Sequence, residues 1–372
     1  MCPAGSTSNG KRRPQVSSWS VARLAGVSQS TVSRVFTPGA SVSLPVREKV
    51  LAAADQLKYR PNALPAILQT GRSGLVAVVM GGFYNPVYAG ILHGITTALK
   101  ERRLEAVLVD AGSDENLGDR VDDLSRYRID GAISALAVRS AKVAARLDQL
   151  GIPVVAVNSR QFGTLRVVST SNRTIGRDAA DALVDRGCTQ LAYLAGRDNP
   201  SQRERESGFS KRVVARGLPT PQRAVAGFTY EEGYAAMVQL LASGARPDGL
   251  FCVNDLVAIG ALDAIRTVPG LRVPEDIQVI GCDDIPMAAW QQNRLTTFVQ
   301  DMTLLGRQCV EMLGNDPPAS RVSVPSTLVL RATTRTLLQT PQQMQSKPRQ
   351  PGDGSRGRMV TDAADHGSAL PG

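Results

Sequence analysis

Residues Ser28 to Arg34, SQSTVSR, gather four hydroxyls, one carboxamide and one guanidinium into seven positions, with no acid among them. Hydroxyls and backbone N–H groups at a helix start bind phosphate oxygens, while Gln and Arg can make paired hydrogen bonds to base edges. On a helix over 29–36, Val32 and Val35 face inward and Gln29, Ser30, Ser33 and Arg34 face outward, with Ser28 as the N-cap. A solvated amphipathic helix with an ordinary serine cap would have the same composition, so the surroundings must decide.

Those surroundings read as two more helices. Over about 18–25, Val21, Leu24 and Ala25 share one face, and the small Ala22 and Ala25 allow a close crossing. Gly26 permits the left-handed turn that joins this helix sharply to the next. Ser43 stands before LPVREKVLAAADQLKY, where Val46, Val50, Ala53 and Leu57 recur at helical spacing and Pro45 falls in the first turn. Three short helices with one sharp turn form the pattern of a helix-turn-helix, whose second helix enters the major groove of DNA. The charge agrees. Residues 1–72 hold ten bases and two acids, so +8 of the chain's net +10 lies in its first fifth.

Other chemistry is poorly supported. The chain of 372 residues has two histidines, His93 and His366, and lacks the GxxxxGK[ST], HExxH and GxSxG patterns, so no catalysis is expected. Cys2, Cys188, Cys252, Cys282 and Cys309 form no CxxC pair, which predicts free thiols, with no metal site and no cofactor. No apolar run is long enough for a bilayer, and no apolar segment follows the basic residues near the N-terminus, so a cytoplasmic protein without membrane contact is expected.

From Leu75 the rhythm changes. Apolar runs at 75–80, 106–110, 131–136, 153–157, 190–196, 249–255 and 277–284 alternate with helical stretches at 87–102, 115–127, 140–150, 174–187, 203–216, 231–243 and 255–267. Strands apolar on both faces, alternating with helices, predict parallel α/β sheets, here in two lobes. The expected fold is a small all-α helix-turn-helix head followed by a two-lobed α/β core. The expected divisions are a disordered basic arm at 1–16, the head at 17–61, a hinge at 62–73, the core at 74–338 and a disordered polar tail at 339–372.

The segments VARLAGVSQSTVSRVF, VSLPVREKVLAAADQLKYRPNAL and LQTGRSGLVAVV resemble the DNA-binding head and hinge of the LacI (lactose-repressor) family of transcription regulators. The likeness runs to about Thr334. It implies a homodimeric regulator, expected to be a repressor, on a pseudo-palindromic operator. It further implies that Gln29, Ser30 and Arg34 meet bases, that Ser28, Thr31 and Ser33 hold phosphate, and that a hinge helix begins near Asn62. Leu68 would wedge into the central base step of the operator. Pro65, Ala66 and Ile67 depart from the family's usual hinge, and Ser20 from its usual Asp.

For the core, the resemblance implies a periplasmic-binding-protein-like pair of lobes with an effector between them. Phe83, Asn85, Asn158, Arg205, Asn254, Asp283, Trp290 and Gln300 are the expected effector residues, with Trp290 as a stacking wall. Tyr84 and Tyr88 stand beside the first of them. Asp255 is expected to cap the helix from 256, and Asp284 to hold its loop. Arg with several Asn and Asp side chains suits hydroxyls or a carboxylate, so a sugar or sugar acid leads, with a nucleobase as the alternative. The rival functions are a transport-type sugar-binding protein and a DNA-bending protein without effector control.

Overall fold

The computed structural model describes residues 16–37, 39–60, 71–113, 116–124, 128–314 and 320–337. The head comprises α1 (Ser18–Ala25), α2 (Gln29–Phe36) and α3 (Leu44–Gln56). Ser17 caps α1 by accepting from the Ser20 N–H, and Ser28 caps α2 by accepting from the Thr31 N–H. Gly26 takes φ +68°, the left-handed turn expected of it. Ser43 precedes α3 as expected but makes no side-chain cap bond. Val21, Ala22, Val32, Val35, Val50, Ala53 and Ala54 form the head's core. The buried stripe of α1 is rotated toward Ala22, so Leu24 falls off its edge and is 47 % exposed, contrary to the sequence reading.

Asp130 marks the entry to the core, its carboxylate accepting from the N–H groups of Ser73 and Gly74. Lobe 1 then runs β1 (Leu75–Gly81), α4 (Val87–Glu101), β2 (Glu105–Gly112), α5 (Leu117–Leu124), β3 (Gly131–Ser134), α6 (Ala141–Asp148), β4 (Val154–Val157) and β5 (Arg166–Thr170). Lobe 2 runs α7 (Asn172–Val184), β6 (Leu191–Ala195), α8 (Pro200–Ala215), β7 (Gln222–Val225), α9 (Tyr230–Ala242), β8 (Gly249–Cys252), α10 (Asp255–Arg266), β9 (Gln278–Ile280) and β10 (Thr297–Gln300). The chain returns to lobe 1 for α11 (Met302–Met312) and β11 (Arg321–Val324), then to lobe 2 for β12 (Ser326–Val329).

Lobe 1 is built on a parallel sheet of order β11-β5-β4-β3-β1-β2, and lobe 2 on a parallel sheet of order β7-β6-β8-β9. An antiparallel β10–β12 pair adjoins lobe 2 through bridges from Thr296 to Ile280 and Val299 to Asp283. Apolar clusters lie on both faces of the lobe 1 sheet, and a separate one fills lobe 2. The chain therefore crosses between lobes at 170–172, 300–302 and 324–326. Two of these crossings are stitched together: the Ser171 N–H donates to the Val324 carbonyl at 3.0 Å, and the Ser171 and Ser323 hydroxyls lie 2.9 Å apart.

Three helix pairs cross with backbones in near contact, each through reciprocal glycines: Gly94 and Gly306 for α4–α11, Gly176 and Gly208 for α7–α8, and Gly233 and Gly260 for α9–α10. A Cβ at Gly208 would stand 2.2 Å from the Arg173 carbonyl oxygen, and one at Gly176 would stand 2.0 Å from that of Arg205. Gly208→Ala must therefore part α7 from α8. Such overpacking is expected to cost about 1–3 kcal/mol, seen as a lower midpoint of thermal unfolding. An unchanged midpoint would show that the helices separate freely.

Candidate nucleic-acid interface and effector cleft

On the head, Ser28, Ser30, Ser33 and Arg34 are exposed at one end and along one side of α2. The Ser28 Oγ lies 2.8 Å from both the Ser30 Oγ and the Thr31 Oγ1, so three hydroxyls meet at the helix start. Gln29 is half-buried, and its Nε2 donates to the Ser18 Oγ at 3.2 Å, tying the first turn of α2 to that of α1. A helix N-terminus with free positive field, hydroxyls and no acid is suited to phosphate. Asn62 and Leu68, with Pro65, Ala66 and Ile67, lie outside the described residues.

Between the lobes is a cleft of about 320 Å³. Strand C-termini of parallel sheets point their loops into such a space. Gly82, Tyr84, Asn85 and Tyr88 enter it after β1, Asn158 after β4, and Asn254 after β8, while Arg205 reaches in from α8. Asp283 and Gln300 come from the loops after β9 and at the end of β10.

Arg205 is the centre of this arrangement, only 6 % exposed. Its Nε donates to Asn172 Oδ1 at 2.7 Å, its Nη1 to the Val253 carbonyl, and its Nη2 stands 3.8 Å from Asp283 Oδ1. Gln300 Nε2 donates to the same Asp283 oxygen at 2.6 Å, and Asn85 also bonds this carboxyl. On the lobe 1 side, Asn158 Oδ1 accepts from the Thr170 N–H at 3.0 Å and lies 3.4 Å from Asn172 Nδ2. Polar contacts thus run unbroken from Asn158 through Asn172, Arg205 and Asp283 to Gln300, joining both lobes and two of the crossings. Asp283 has φ +125° and Asp284 φ +52°, a strained pair of the kind found where a side chain must be aimed. Burial pushes the Asp283 pKa up to about 6, against the pull of Arg205 and its hydrogen-bond donors. Asp284 is held by Arg331 at 2.7 Å, in keeping with a loop-holding role.

Asn254 lines the cleft, but both its polar atoms are engaged. Its Oδ1 caps α10 by accepting from the Val257 N–H at 2.9 Å, and its Nδ2 donates to the Phe228 carbonyl at 3.0 Å. The cap expected of Asp255 therefore belongs to Asn254. Asp255 is instead fully buried in the first turn of α10, where it accepts from the Ile285 N–H at 2.9 Å and from the Thr297 hydroxyl.

Phe83 and Trp290 are not among the cleft-lining residues. Phe83 follows the turn at Gly82 and Trp290 follows the 3-10 turn Pro286–Ala289, and these turns leave the two rings 50 % and 51 % exposed. Tyr84, Tyr88 and Phe228 supply the aromatic lining instead. Sequence reasoning missed Asn172, Phe228 and Arg139. The signal for Asn172 was its place just before a helical run, and for Phe228 the loop after β7, a strand the apolar pattern does not reveal. Arg139, in the loop after β3, donates through Nη2 to the carbonyl of Asp198, after β6, at 2.9 Å, and so closes a hydrogen bond from lobe 1 to lobe 2 at the cleft. Arg203 pairs with the Asp198 carboxyl and holds it below the usual carboxylate range.

A helix-turn-helix head joined to a two-lobed core with a polar cleft defines a ligand-controlled DNA-binding regulator. Residues 20–62 match the family described as bacterial regulatory proteins, lacI family, and residues 180–334 match a periplasmic binding protein-like domain. The chain is 34 % identical over 318 residues to the HTH-type transcriptional regulator CelR of Thermobifida fusca, spanning 82 % of this chain and 92 % of that protein. It is 32 % identical over 300 residues to the ribose operon repressor of Escherichia coli (strain K12), spanning 79 % of this chain and 90 % of that one. Among solved structures, the lac repressor dimer bound to operator and the anti-inducer ONPF superposes with a TM-score of 0.79 at 28 % identity, over 87 % of this chain and all of that one. The CelR–cellobiose complex gives 0.63 at 30 % identity, over 86 % of this chain and 100 % of that one. The chain belongs to the LacI family and is a DNA-binding transcriptional regulator controlled by a small-molecule effector.

Asp255 makes this core sensitive to pH. Burial, with the Asp283 carboxylate nearby, raises its pKa from 3.8 to about 8. A carboxyl whose pKa is higher in the folded than in the unfolded chain contributes stability that is fully present below the unfolded value and lost as pH rises through the folded one. The window is therefore from about 4 to about 8. Asp255→Asn keeps an acceptor for the Ile285 N–H and turns an amide N–H toward the Thr297 hydroxyl, which can accept as well as donate, and it does not titrate. Its thermal midpoint relative to the unaltered protein should rise from pH 5 to about pH 8 and level off above that; a constant difference would show that Asp255 does not titrate in this range.

Proposed function

We propose that the chain is a homodimeric, cytoplasmic repressor that holds a pseudo-palindromic operator and is controlled by a sugar or sugar acid bound between the lobes. The reading rests on one observation above others. Arg205, Asp283, Asn85 and Gln300 converge in the cleft with Tyr84, Tyr88 and Phe228 beside them. Donors and acceptors in that arrangement suit adjacent hydroxyls, and aromatic rings suit the apolar face of a pyranose or furanose. Two relatives point the same way: one solved structure is a CelR–cellobiose complex, and another relative is named a ribose operon repressor.

In this reading residues 17–61 bind DNA, 62–73 form the hinge, 74–338 take the effector and dimerise, and the arm at 1–16 and tail at 339–372 lie outside these units. Gln29, Ser30 and Arg34 read bases, Ser28, Thr31 and Ser33 hold phosphate, and Asn62 and Leu68 act in the hinge. Asn158 joins the cleft set from lobe 1. Asn254 shapes the cleft as a helix cap. A sugar bridging the lobes competes for the bonds that now join Arg205, Asp283 and Gln300, and so alters the angle between lobes. The resulting coupling to DNA is of the usual size, about 1–3 kcal/mol.

Two substitutions test the two ends of the molecule. Arg34→Ala should abolish preference for the operator while leaving salt-sensitive binding to unrelated duplex, as read by competition binding; unchanged preference would remove Arg34 from base reading. For the cleft, sugars, sugar acids and nucleobases are screened by thermal shift. Asp283→Ala should then eliminate the shift from the best ligand and its effect on operator binding while DNA affinity persists. A persisting shift would take Asp283 out of the site, and a shift from nucleobases alone would replace the sugar reading.

A further inference from the structure

Asp255 does not line the cleft, yet it grips the loop after β9 at two points. Its N–H donates to the Cys282 carbonyl at 2.9 Å, and its Oδ2 accepts from the Ile285 N–H at 2.9 Å. Between those points lie Asp283 and Asp284, the two residues with positive φ. Its Oδ1 shares a hydrogen bond with the Thr297 hydroxyl on β10, the strand that ends at Gln300. Gly281 leaves room for this oxygen, since a Cβ there would stand 2.2 Å from it. One buried side chain thus ties the loop carrying Asp283 to the strand carrying Gln300, and those two residues meet in the cleft at 2.6 Å.

The charged groups around this carboxyl come from several elements. Asp283 and Asp284 follow β9, Arg205 comes from α8, and Arg331, after β12, reaches the group through its pairing with Asp284. The Cys252 thiol at the end of β8 and the Cys282 thiol after β9 stay neutral, because burial raises both well above the ordinary thiol value. Arg205 is the one guanidinium close to Asp283, and two ionised carboxylates beside it in a buried space repel each other. With Asp255 raised to about 8 and Asp283 to about 6, the pair carries one negative charge at neutral pH, and it sits on Asp283.

We propose that Asp255 is a positioning residue for the effector, holding Asp283 and Gln300 in place and keeping the proton that leaves the negative charge on Asp283 alone. The proposal rests on the reading of the cleft as a sugar or sugar-acid site. A ligand hydroxyl donating to Asp283 favours its ionised form, and expelling water from the cleft strengthens the repulsion felt by an ionised Asp255. Filling the cleft therefore lowers the pKa of Asp283 and raises that of Asp255. A group whose pKa is raised by binding supports binding below its free value and withdraws that support as pH climbs through the bound value; a lowered pKa does the reverse. Effector affinity should be greatest between about pH 6 and about pH 8 and fall on both sides.

The test is calorimetric titration of the full chain with D-ribose, cellobiose and D-gluconate from about pH 5 to about pH 9.5. For a probe that binds, affinity should fall about tenfold between about pH 7.5 and about pH 9.5, the change expected when binding raises a pKa by about one. Asp255→Asn should bind like the unaltered protein at pH 7, lose the alkaline fall and keep the acidic one. Asp255→Ala, which loses the tie, should bind the probe about tenfold more weakly at pH 7 while holding duplex DNA as before; if it does not fold, the Asp255→Asn profile decides alone. An alkaline fall that persists in Asp255→Asn, or no alkaline fall in the unaltered protein, overturns the proposal. If none of the three probes binds, that outcome counts against the sugar reading, and carbon-13 NMR of the side-chain carboxyls tests Asp255 without a ligand. The resonance missing from Asp255→Asn should titrate near pH 8 in the unaltered protein and lower in Asp283→Asn; titration at the same pH in both would overturn the link between the two carboxyls.

Discussion

Arg205 and Asp283 face each other across 3.8 Å in a space with almost no access to water. Taking two such groups out of solvent costs several kcal/mol per ion, and their attraction offsets this only when further hydrogen bonds satisfy what remains. The structure supplies those bonds from distant parts of the chain: Asn172 at the start of α7, the Val253 carbonyl after β8, Gln300 at the end of β10 and Asn85 after β1. Each donor or acceptor can be in place only if its own element is. The folding of both lobes and the meeting of two crossings are therefore conditions for holding this pair, and a ligand that takes over one partner alters what the others must satisfy.

What keeps those elements in place is backbone contact rather than side-chain volume. With glycines facing each other in α4–α11, α7–α8 and α9–α10, there is little freedom for the helices of a pair to slide. Each lobe is packed as a block. The natural place for change is the set of crossings, where short extended segments bond to one another through Ser171, Ser323 and Val324. Shifts between packed blocks about a few such residues are the usual route by which a cleft transmits its state.

The head was legible nearly to the residue because its signals are local. Ser28 and Gly26 mark a helix start and a turn without reference to anything far away, and α1 and α2 end where the apolar spacing ends. Leu24 was misplaced because spacing alone does not say on which side of a stripe the neighbouring helix will lie. In the core, the buried strands such as β1 were legible as apolar runs, whereas β5, β7, β10, β11 and β12 were not. RVVST, QRAV, TFVQ, RVSV and STLV are short and partly polar, and they become strands through partners remote in sequence, as when Arg321 aligns with Val167. The cleft follows the same division. Arg205 and Asp283 could be found by family resemblance, while Asn172 depends on the α7–α8 crossing and Phe228 on an unrecognised strand. Trp290 looked like a wall only because its loop was not known to leave it half exposed.

The bond between lobes from Arg139 to Asp198 is received by a main-chain carbonyl. Every residue type carries that carbonyl, so no substitution at position 198 deletes the acceptor itself. The contact is inherited from one side only: a codon change at 139 can abolish it, while position 198 is left to vary with its pairing to Arg203.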